Sequence, residues 1–345
     1  MTWLTIDGSY GEGGGQLSRY AMALAAITGQ PLHLKNIRAK RPKPGLMAQH
    51  LTALKAVAAV SGGVLEGAEL GATQIRFRPG RIGGGEYHFD VGTAGSISLV
   101  LQALLPVALH ADSIIRLTIT GGTDVKMAPP LDYLRLVFLP WLERMGIMVS
   151  IESVRHGYYP KGGGMVSLKV TPRKHPDPLV AEHPGTVRAI RGIAHVARLP
   201  LHIPERMASA ALAHLADLGP VHIEARVLSD DEAFGTGGAM VLVAETEHSL
   251  LGAATVAQRG VPAEQLGQDA GQALRAELEA GAAVDIHASD QLLIYAAQAR
   301  GASRLAVREV SLHAQTVMWL IGQFLPVRFK AEPWGRLYLI EVVHG

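Results

Sequence analysis

The stretch Ser311-Leu312-His313-Ala314-Gln315-Thr316, followed by the apolar run from Val317 to Leu325, is the most informative part of this chain. A short strand pattern at 304–310 precedes it, so His313 lies where a helix begins. The first turn of a helix has unpaired N–H groups and the positive end of the helix dipole, which both favour an anionic phosphate. A histidine held there could attack a phosphoryl group. A histidine that merely completes a turn gives the same pattern, so the rest of the sequence must decide.

The composition is that of an ordered globular protein. The chain has 345 residues, of which 48% are hydrophobic and 18% charged, enough for a large core and more than one domain. A net charge of +2 excludes a basic coat over the whole surface, so any contact with nucleic acid must be local. The absence of cysteine excludes disulfides and thiolate metal sites and agrees with the cytoplasmic location that we expect.

No segment has the pattern of a signal peptide or a membrane anchor. The N-terminal residues lack a basic region followed by an apolar one. The most apolar stretch, 96–111, is broken by Gln102, Pro106 and His110 and is too short to cross a bilayer. We therefore expect no membrane partner, and a buried helix over this stretch.

Strand and helix patterns alternate along the first half of the chain. The periodicity predicts helices at 16–27, 47–60, 97–110 and 131–145. It predicts strands at 31–36, 64–70, 73–78, 86–91, 114–120, 148–153 and 166–170. This order indicates an α/β or α+β protein built from internal structural repeats.

Four prolines between residues 172 and 184 mark a linker. After it, a small α/β unit is predicted, with helices at 205–218 and 263–279 and strands at 221–227 and 239–245. The alternation of helix and strand patterns seen in the first half then returns, with helices at 290–298 and 316–324 and strands at 304–310, 327–329 and 336–343. We predict a discontinuous large domain, 1–186 and 280–345, and a small inserted domain, 187–279.

A glycine-rich loop, residues 8–15, leads into the first predicted helix. It is not a Walker loop, and Gln16 stands where a dinucleotide fingerprint would have its last glycine. Backbone N–H groups of such a loop can approach a phosphate, and Glu12 could hold a divalent metal or orient a hydroxyl. A tight turn with a solvated glutamate explains the same residues.

A second loop, Lys35 to Leu46, has five basic residues within nine positions, kept extended by prolines. Its arginines suit bidentate phosphate contacts, and a polynucleotide is one candidate ligand. A solvated surface loop is the alternative. Gln49 and His50 open the next helix and could add polar contacts.

Further polar motifs stand at element boundaries. Small residues at 91–98 precede a helix that carries Gln102, as at a nucleotide site or a packed helix start. Gly-Gly-Thr-Asp at 121–124 precedes Ala128-Pro129-Pro130, and His156-Gly157-Tyr158-Tyr159-Pro160 precedes three glycines. In His287-Ala288-Ser289-Asp290-Gln291, the last two residues could cap a helix or bind the polar edge of a ligand.

Taken together, these motifs resemble the RNA 3′-terminal phosphate cyclase family, in the right order over nearly the whole chain. The resemblance covers the glycine loop with Glu12, the basic loop, the segments at 121–130 and 156–164, and Phe324-Leu325-Pro326-Val327-Arg328-Phe329. It implies a large domain of repeated βαβαββ-type units, similar to enolpyruvyl transferases, with a small inserted α/β domain.

The resemblance also implies an ATP-dependent ligase reaction. His313 would take AMP from ATP, pass it to an RNA 3′-phosphate, and the neighbouring 2′-hydroxyl would then close a 2′,3′-cyclic phosphate. It implies Glu12 at a divalent metal, Mg²⁺ or Mn²⁺. Phosphates of RNA or ATP would contact Arg19, Arg38, Arg41 and Gln49. The adenylate pocket would be lined by Gln102, Pro129, His287, Ala288, Ser289, Asp290 and Gln291.

The sequence departs from the family pattern at Tyr10, at His287, where an aromatic ring is common, and after His313. Three alternatives stay open: an adenylyltransferase that acts on DNA ends or other phosphate ends, a non-catalytic ribosome-assembly paralogue, and an enolpyruvyl transferase. The second would lack the nucleophilic histidine, and the third would not need it. The sequence specifies no oligomeric state.

Overall fold

The computed structural model describes residues 2–344, and within them the strands form four sheets. The strands are β1 (Leu4–Asp7), β2 (Leu32–Lys35), β3 (Val64–Glu66), β4 (Ile75–Arg78), β5 (Gly85–Asp90), β6 (Ile115–Gly121), β7 (Val149–Gly157), β8 (Gly164–Val170), β9 (Val180–Ala181), β10 (Val187–Ala197), β11 (Val221–Leu228), β12 (Ala233–Phe234), β13 (Gly237–Thr246), β14 (Leu250–Val256), β15 (Ser303–Val307), β16 (Val327–Trp334) and β17 (Leu337–His344). The helices are α1 (Gly15–Thr28), α2 (Ala48–Val60), α3 (Ile97–Ala108), α4 (Leu131–Tyr133), α5 (Leu139–Arg144), α6 (His202–Leu215), α7 (Ala263–Ala280), α8 (Ile286–Ala296) and α9 (Leu312–Gly322), with a π-helical turn, Leu134–Phe138, between α4 and α5.

Three sheets share one topology. Their strand orders are β1-β2-β4-β3, β5-β6-β8-β7 and β9-β15-β17-β16, and the second also carries β12 on its edge. Among the four strands of each order, the first two are parallel and the remaining pairs antiparallel, whereas β12 pairs with β7 in parallel. A helix follows each of the first two strands of a unit. In the second unit, α4 and α5 together follow its second strand, β6. The predicted βαβαββ repeat is therefore confirmed and occurs three times.

The first helices of the three units, α1, α3 and α8, lie in the interior. Every residue of α3 is buried, because the helix is apolar on all sides apart from Ser98 and Gln102. This confirms the buried helix predicted from the apolar stretch. Nowhere in residues 2–344 does a helix have both the length and the apolar character needed to cross a membrane.

The fourth sheet, β11-β10-β13-β14, lies between β9 and α8 in the chain, inside the third unit. Helices α6 and α7 cover it and share an apolar core with it, which includes Ile190, Met207, Leu242 and Leu274. The short β12 leaves this segment and pairs with β7 of the second unit. The boundaries at 187 and 279 stay a prediction.

Two helices begin four residues earlier than the sequence pattern indicated. Helix α8 begins at Ile286 because the Asp285 carboxylate accepts hydrogen bonds from the N–H groups of His287 and Ala288. The suggestion that Asp290 and Gln291 cap this helix is therefore wrong, since both lie in its second turn and are buried. Helix α9 begins at Leu312, with Ser311 as its N-cap.

Candidate active site

The glycine-rich loop rests on the first turns of α9. Gly11 has a φ of +56°, and an added Cβ would collide with Oγ1 of Thr316. The backbone N–H of Glu12 donates to the same hydroxyl at 3.3 Å. Glycine at position 11 therefore lets the loop approach α9 and brings Glu12 to the start of that helix.

His313 lies in the first turn of α9, close to the helix start beside which the sequence placed it, and next to the capping hydroxyl of Ser311. Its side chain is 49% exposed. Its Nδ1 lies 2.9 Å from Oε1 of Gln16 and 2.6 Å from Oε2 of Glu12. Two residues of the glycine-rich loop region thus hold one ring nitrogen, and the other edge of the ring is not used in these contacts.

Gln16 fixes the tautomer of His313. Its Nε2 donates to Oδ2 of Asp290 at 2.9 Å, so its Oε1 faces the histidine as an acceptor. Nδ1 must therefore carry the proton, and the lone pair of a neutral ring stands on Nε2. Burial lowers the pKa of His313, Arg19 and Arg41 lower it further, and Asp290 opposes them. Neutral imidazole thus prevails at pH 7.

Asp290 is a buried carboxylate on α8. Burial raises its pKa from 3.8 to about 6, although His313 and the hydrogen bond from Gln16 act in the opposite direction. At neutral pH Asp290 is ionised and accepts a hydrogen bond from the side-chain amide of Gln16. This supports the amide orientation on which the histidine tautomer depends.

Polar side chains of the three interior helices form a connected group. Arg19 on α1 donates to Oε1 of Gln102 at 3.0 Å, and Nε2 of Gln102 donates to Oε1 of Gln291 at 3.0 Å. Arg19 is 5% exposed, its Nε has no hydrogen-bond partner, and burial lowers its pKa to about 10. A buried guanidinium hydrogen-bonded to a neutral amide retains capacity for an anion such as phosphate.

The residues of the basic loop differ in how they take part in the site. Arg41 forms an ion pair with Glu12 and stands beside the site. Arg38 instead donates to the carbonyl oxygens of Lys43 and Gly45, at 2.8 and 2.7 Å, and so fixes the loop itself. Gln49 accepts a hydrogen bond from the backbone of Ser96 and thereby holds the loop before α3.

The remaining predicted residues lie around α8 and the start of α3. Pro129 is partly exposed, and its carbonyl accepts from the hydroxyl of Ser98 at 2.7 Å. His287 is exposed, with its ring edge-on to Tyr133. Ala288 and Ser289 are completely buried, so their side chains present no surface to a ligand.

Sequence reasoning gave no role to Gln16 and left His50 as a general polar contact. His50 is buried against Gly15, where an added Cβ would collide with its ring, and it accepts from the N–H of Met47. Burial lowers its pKa to about 3, with help from Arg19, Arg38 and Arg41, so it is neutral. The signal for Gln16 was its position in place of the last glycine of the loop.

Tyr10, the first departure from the family pattern, stacks on Trp319 of α9 with ring centroids 3.7 Å apart. It therefore belongs to the contact between the glycine-rich loop and α9. Gln16 and His313 lie in the first turns of α1 and α9, so the positive dipole ends of these two helices add to the charge of the arginines. The arrangement favours an anionic ligand in front of a neutral, oriented imidazole.

Comparisons with known proteins find a family and close relatives. A family model described as RNA 3′-terminal phosphate cyclase matches residues 10–331. A protein of that name from Nitrosospira multiformis is 54% identical over 336 residues, which cover 97% of this chain and 95% of that protein. Another from Pyrococcus furiosus is 42% identical over 330 residues, 95% of each chain.

Among solved structures, the enolpyruvyl transferase NikO from Streptomyces tendae superposes with a TM-score of 0.39 and 10% identity. The match covers 99% of this chain and 48% of that one. A TM-score this low supports no argument, so the fold assignment depends on the three βαβαββ units themselves.

Proposed function

The chain belongs to the RNA 3′-terminal phosphate cyclase family, and from this premise we propose that it uses ATP to convert an RNA 3′-phosphate to a 2′,3′-cyclic phosphate. The observation that carries the proposal is the fixed orientation of His313. Gln16 and Glu12 hold its Nδ1–H, which leaves the Nε2 lone pair available as a nucleophile.

In the first step, Nε2 of His313 attacks the α-phosphorus of ATP. A phosphorus–nitrogen bond forms, the bond from the α-phosphorus to the bridging oxygen breaks, and pyrophosphate leaves. The ring gains positive charge as this bond forms, and Glu12, 2.6 Å from Nδ1, stabilises that charge. The product is an AMP covalently bound to the histidine.

In the second step, an oxygen of the RNA 3′-phosphate attacks the same phosphorus and releases the histidine. In the third, the 2′-hydroxyl attacks the terminal RNA phosphorus, loses its proton, and expels AMP. An unmodified phosphate monoester is a poor electrophile, because hydroxide is a poor leaving group, whereas AMP leaves readily. The vicinal hydroxyl is already in place, so ring closure requires little loss of entropy.

We assign the phosphates to the arginines and the adenylate to the surface around α8. Arg19 has an unpaired, buried Nε, and Arg41 lies beside Glu12 at the mouth of the site. Arg38 and Gln49 contribute by holding the two loops that border it. Gln102, Pro129, His287, Asp290 and Gln291 lie on the side of α3 and α8, which supports their assignment to the nucleotide.

We propose that Glu12 helps to hold a divalent cation once substrate phosphates are bound. A carboxylate together with substrate phosphate oxygens is the donor set that Mg²⁺ or Mn²⁺ prefers, and Glu12 is held by Arg41 and His313 rather than by structural contacts in the core. When bound, the cation would offset the negative charge of the phosphates.

The test is to incubate the protein with ATP labelled at the α-phosphate and a divalent cation, without RNA. We expect an acid-labile, alkali-stable AMP label on the wild type, none on His313→Ala, and an undiminished label on the surface control His222→Ala. Gln16→Met should slow labelling about 10- to 100-fold, because the ring loses its orientation. Absence of label from folded wild type with either cation would overturn the mechanism.

The acceptor is tested separately by adding oligonucleotides to the labelled protein. We expect transfer of AMP to RNA with a 3′-phosphate, followed by its release with formation of the cyclic end. Faster transfer to DNA 3′-phosphates or to 5′-phosphates would keep the histidine chemistry and replace the substrate.

A further inference from the structure

A second group of ionisable side chains is buried away from His313, where the second unit meets the inserted sheet. It consists of Asp124 after β6, His156 on β7 and His195 on β10. These residues are 2%, 8% and 1% exposed. One possible ligand atom from each residue lies within 4.8 Å of those of the other two. The mechanism proposed above does not use them.

Within this cluster one pair of groups is hydrogen-bonded, and a second pair is too far apart for a hydrogen bond. Oδ2 of Asp124 lies 2.8 Å from Nδ1 of His156 but 3.8 Å from Nε2 of His195. The second distance is too long for a hydrogen bond, and Nε2 of His195 is buried without a partner. A completely buried nitrogen therefore faces a completely buried carboxylate across a gap.

The surroundings orient these groups as metal ligands are oriented. Nδ1 of His195 lies 3.4 Å from Oδ2 of Asp132, which directs its Nε2 toward Asp124. A carboxylate beside the second ring nitrogen commonly orients a metal-bound histidine. Asp124 is held in turn, since Oδ2 accepts from the hydroxyl of Thr123 and Oδ1 from the N–H of Leu131.

We propose that Asp124, His156 and His195 bind a divalent transition-metal ion of the zinc class. Two histidine nitrogens and one carboxylate oxygen are a common ligand set for such ions. Ligands of a tetrahedral zinc site stand about 3.3 Å apart, given bonds of about 2.0–2.1 Å, and the two distances from Asp124 bracket that value. A cavity of about 140 Å³ borders His156 and His195 on the side of Asp132.

The ion would join parts of the chain that are distant in sequence. Asp124 and His156 belong to the second βαβαββ unit, whereas His195 is on the central strand β10 of the inserted sheet. We assign the site a structural role, fixing the insert on the second unit. This role is independent of the proposed function, because none of the three residues contacts His313, Gln16 or Glu12.

Without a metal, protonation of His195 would supply the positive charge beside the Asp124 carboxylate. Burial disfavours the imidazolium of His195, but Asp124 and Asp132 raise its pKa to about 9. The arginines that line the same cavity, Arg135 and Arg226, are paired with Asp132 and Glu232. The experiment must therefore distinguish a bound metal from a protonated histidine.

The experiment measures metal content by mass spectrometry on tag-free protein, reconstituted with zinc and then dialysed without chelator or ATP. We expect about one zinc per chain in the wild type and less than a tenth in His195→Leu and His156→Asn. His222→Leu, an exposed histidine on β11, is the matched control and should retain the zinc. Glu12→Gln should also retain it, which separates this ion from one at the proposed active site.

Two further readouts make the result decisive. Cobalt in place of zinc should give visible absorption bands in the wild type that are absent from His195→Leu. Zinc should raise the Tm of the wild type and of His222→Leu, but not that of His195→Leu. His156→Asn covers the case in which His195→Leu does not fold. Less than a tenth of an equivalent in the reconstituted wild type, or equal zinc in folded variants, would overturn the proposal in favour of a protonated His195. AMP labelling of His313 in the same samples tests the proposed function independently.

Discussion

At the scale of single residues, the candidate site depends on an amide that can point only one way. Gln16 donates to Asp290 and accepts from His313, so an ionised carboxylate on α8 determines which nitrogen of a histidine on α9 carries the proton. Burying that carboxylate costs stability, because ionised Asp290 is desolvated without a cation in direct contact. The site is therefore a place where function opposes stability.

We predict that Asp290→Asn stabilises the protein at neutral pH. The folded-state pKa of Asp290, about 6, lies above its ordinary 3.8. Ionisation therefore lowers stability above pH 6, and this cost fades as the pH falls from 6 toward 4. Urea unfolding at pH 7.5 should show a gain of about 1–3 kcal/mol for the variant, shrinking markedly by pH 4.5.

The surface substitution Asp269→Asn on α7 is the control and should change little at either pH. A variant less stable than wild type at pH 7.5, or a gain that grows in acid, would contradict this account of Asp290. AMP labelling should be slower in Asp290→Asn, because an amide at position 290 no longer fixes the orientation of Gln16.

At the scale of elements, α9 owes its start to one hydroxyl. Oγ of Ser311 accepts from the N–H of Ala314 at 3.0 Å and caps the turn that carries His313. We predict that Ser311→Ala lowers the free energy of unfolding by about 1 kcal/mol, whereas Ser311→Thr, which keeps the hydroxyl, loses much less. Urea unfolding of the two variants measures the difference, and equal losses would show that the cap does not hold this helix.

The same scale shows what the sequence could predict. Helix α7, whose buried residues recur on one face, was placed within one residue of its observed end, and α1 and α2 were placed within a residue or two. Strands β10 and β14 were missed, because glycine, alanine and charged residues interrupt their alternation. The start of helix α8 was predicted four residues too far along the chain, although an aspartate at position 285 is a typical N-cap residue. Local patterns identify elements that are strongly amphipathic and fail where tertiary packing decides.

The contacts within the candidate site could be predicted even less well from local sequence patterns. The spacing of residues could nominate His313 and Glu12 separately, but the contacts that join Gln16 to His313 and Asp290 span 297 and 274 positions. Only the family resemblance brought these segments together before the structure did. Gln16 received no role, since a glutamine in a glycine-rich loop has no chemistry of its own until its two partners are known.

At the scale of the whole molecule, three copies of one unit place equivalent helices side by side. Helices α1, α3 and α8 are each the first helix of a unit, and each contributes polar side chains to one buried network, through Arg19, Gln102 and Gln291. The repeat therefore brings the second turns of three helices together at one location. The inserted sheet interrupts only the third unit, immediately before the helix that carries Asp290.

One buried carboxylate connects the insert with the rest of the molecule at that point. Asp285 accepts from the hydroxyl of Tyr133 at 2.6 Å, from two N–H groups at the start of α8, and from the N–H of Gly252 in the inserted sheet. It thus joins the second unit, the third unit and the insert. Removing it would leave several buried donors without an acceptor, each of which costs about 1–3 kcal/mol.

We therefore predict that Asp285→Ala lowers the free energy of unfolding by at least about 3 kcal/mol, whereas Tyr133→Phe, which removes one of the four hydrogen bonds, loses about 1 kcal/mol. Urea unfolding followed by tryptophan fluorescence measures both, with the exposed Asp269→Ala as control. Because Trp141 donates to the carbonyl of Leu250 in the insert, its fluorescence reports on the same junction. A loss below about 1 kcal/mol in Asp285→Ala would mean that apolar packing alone joins the insert to the second and third units.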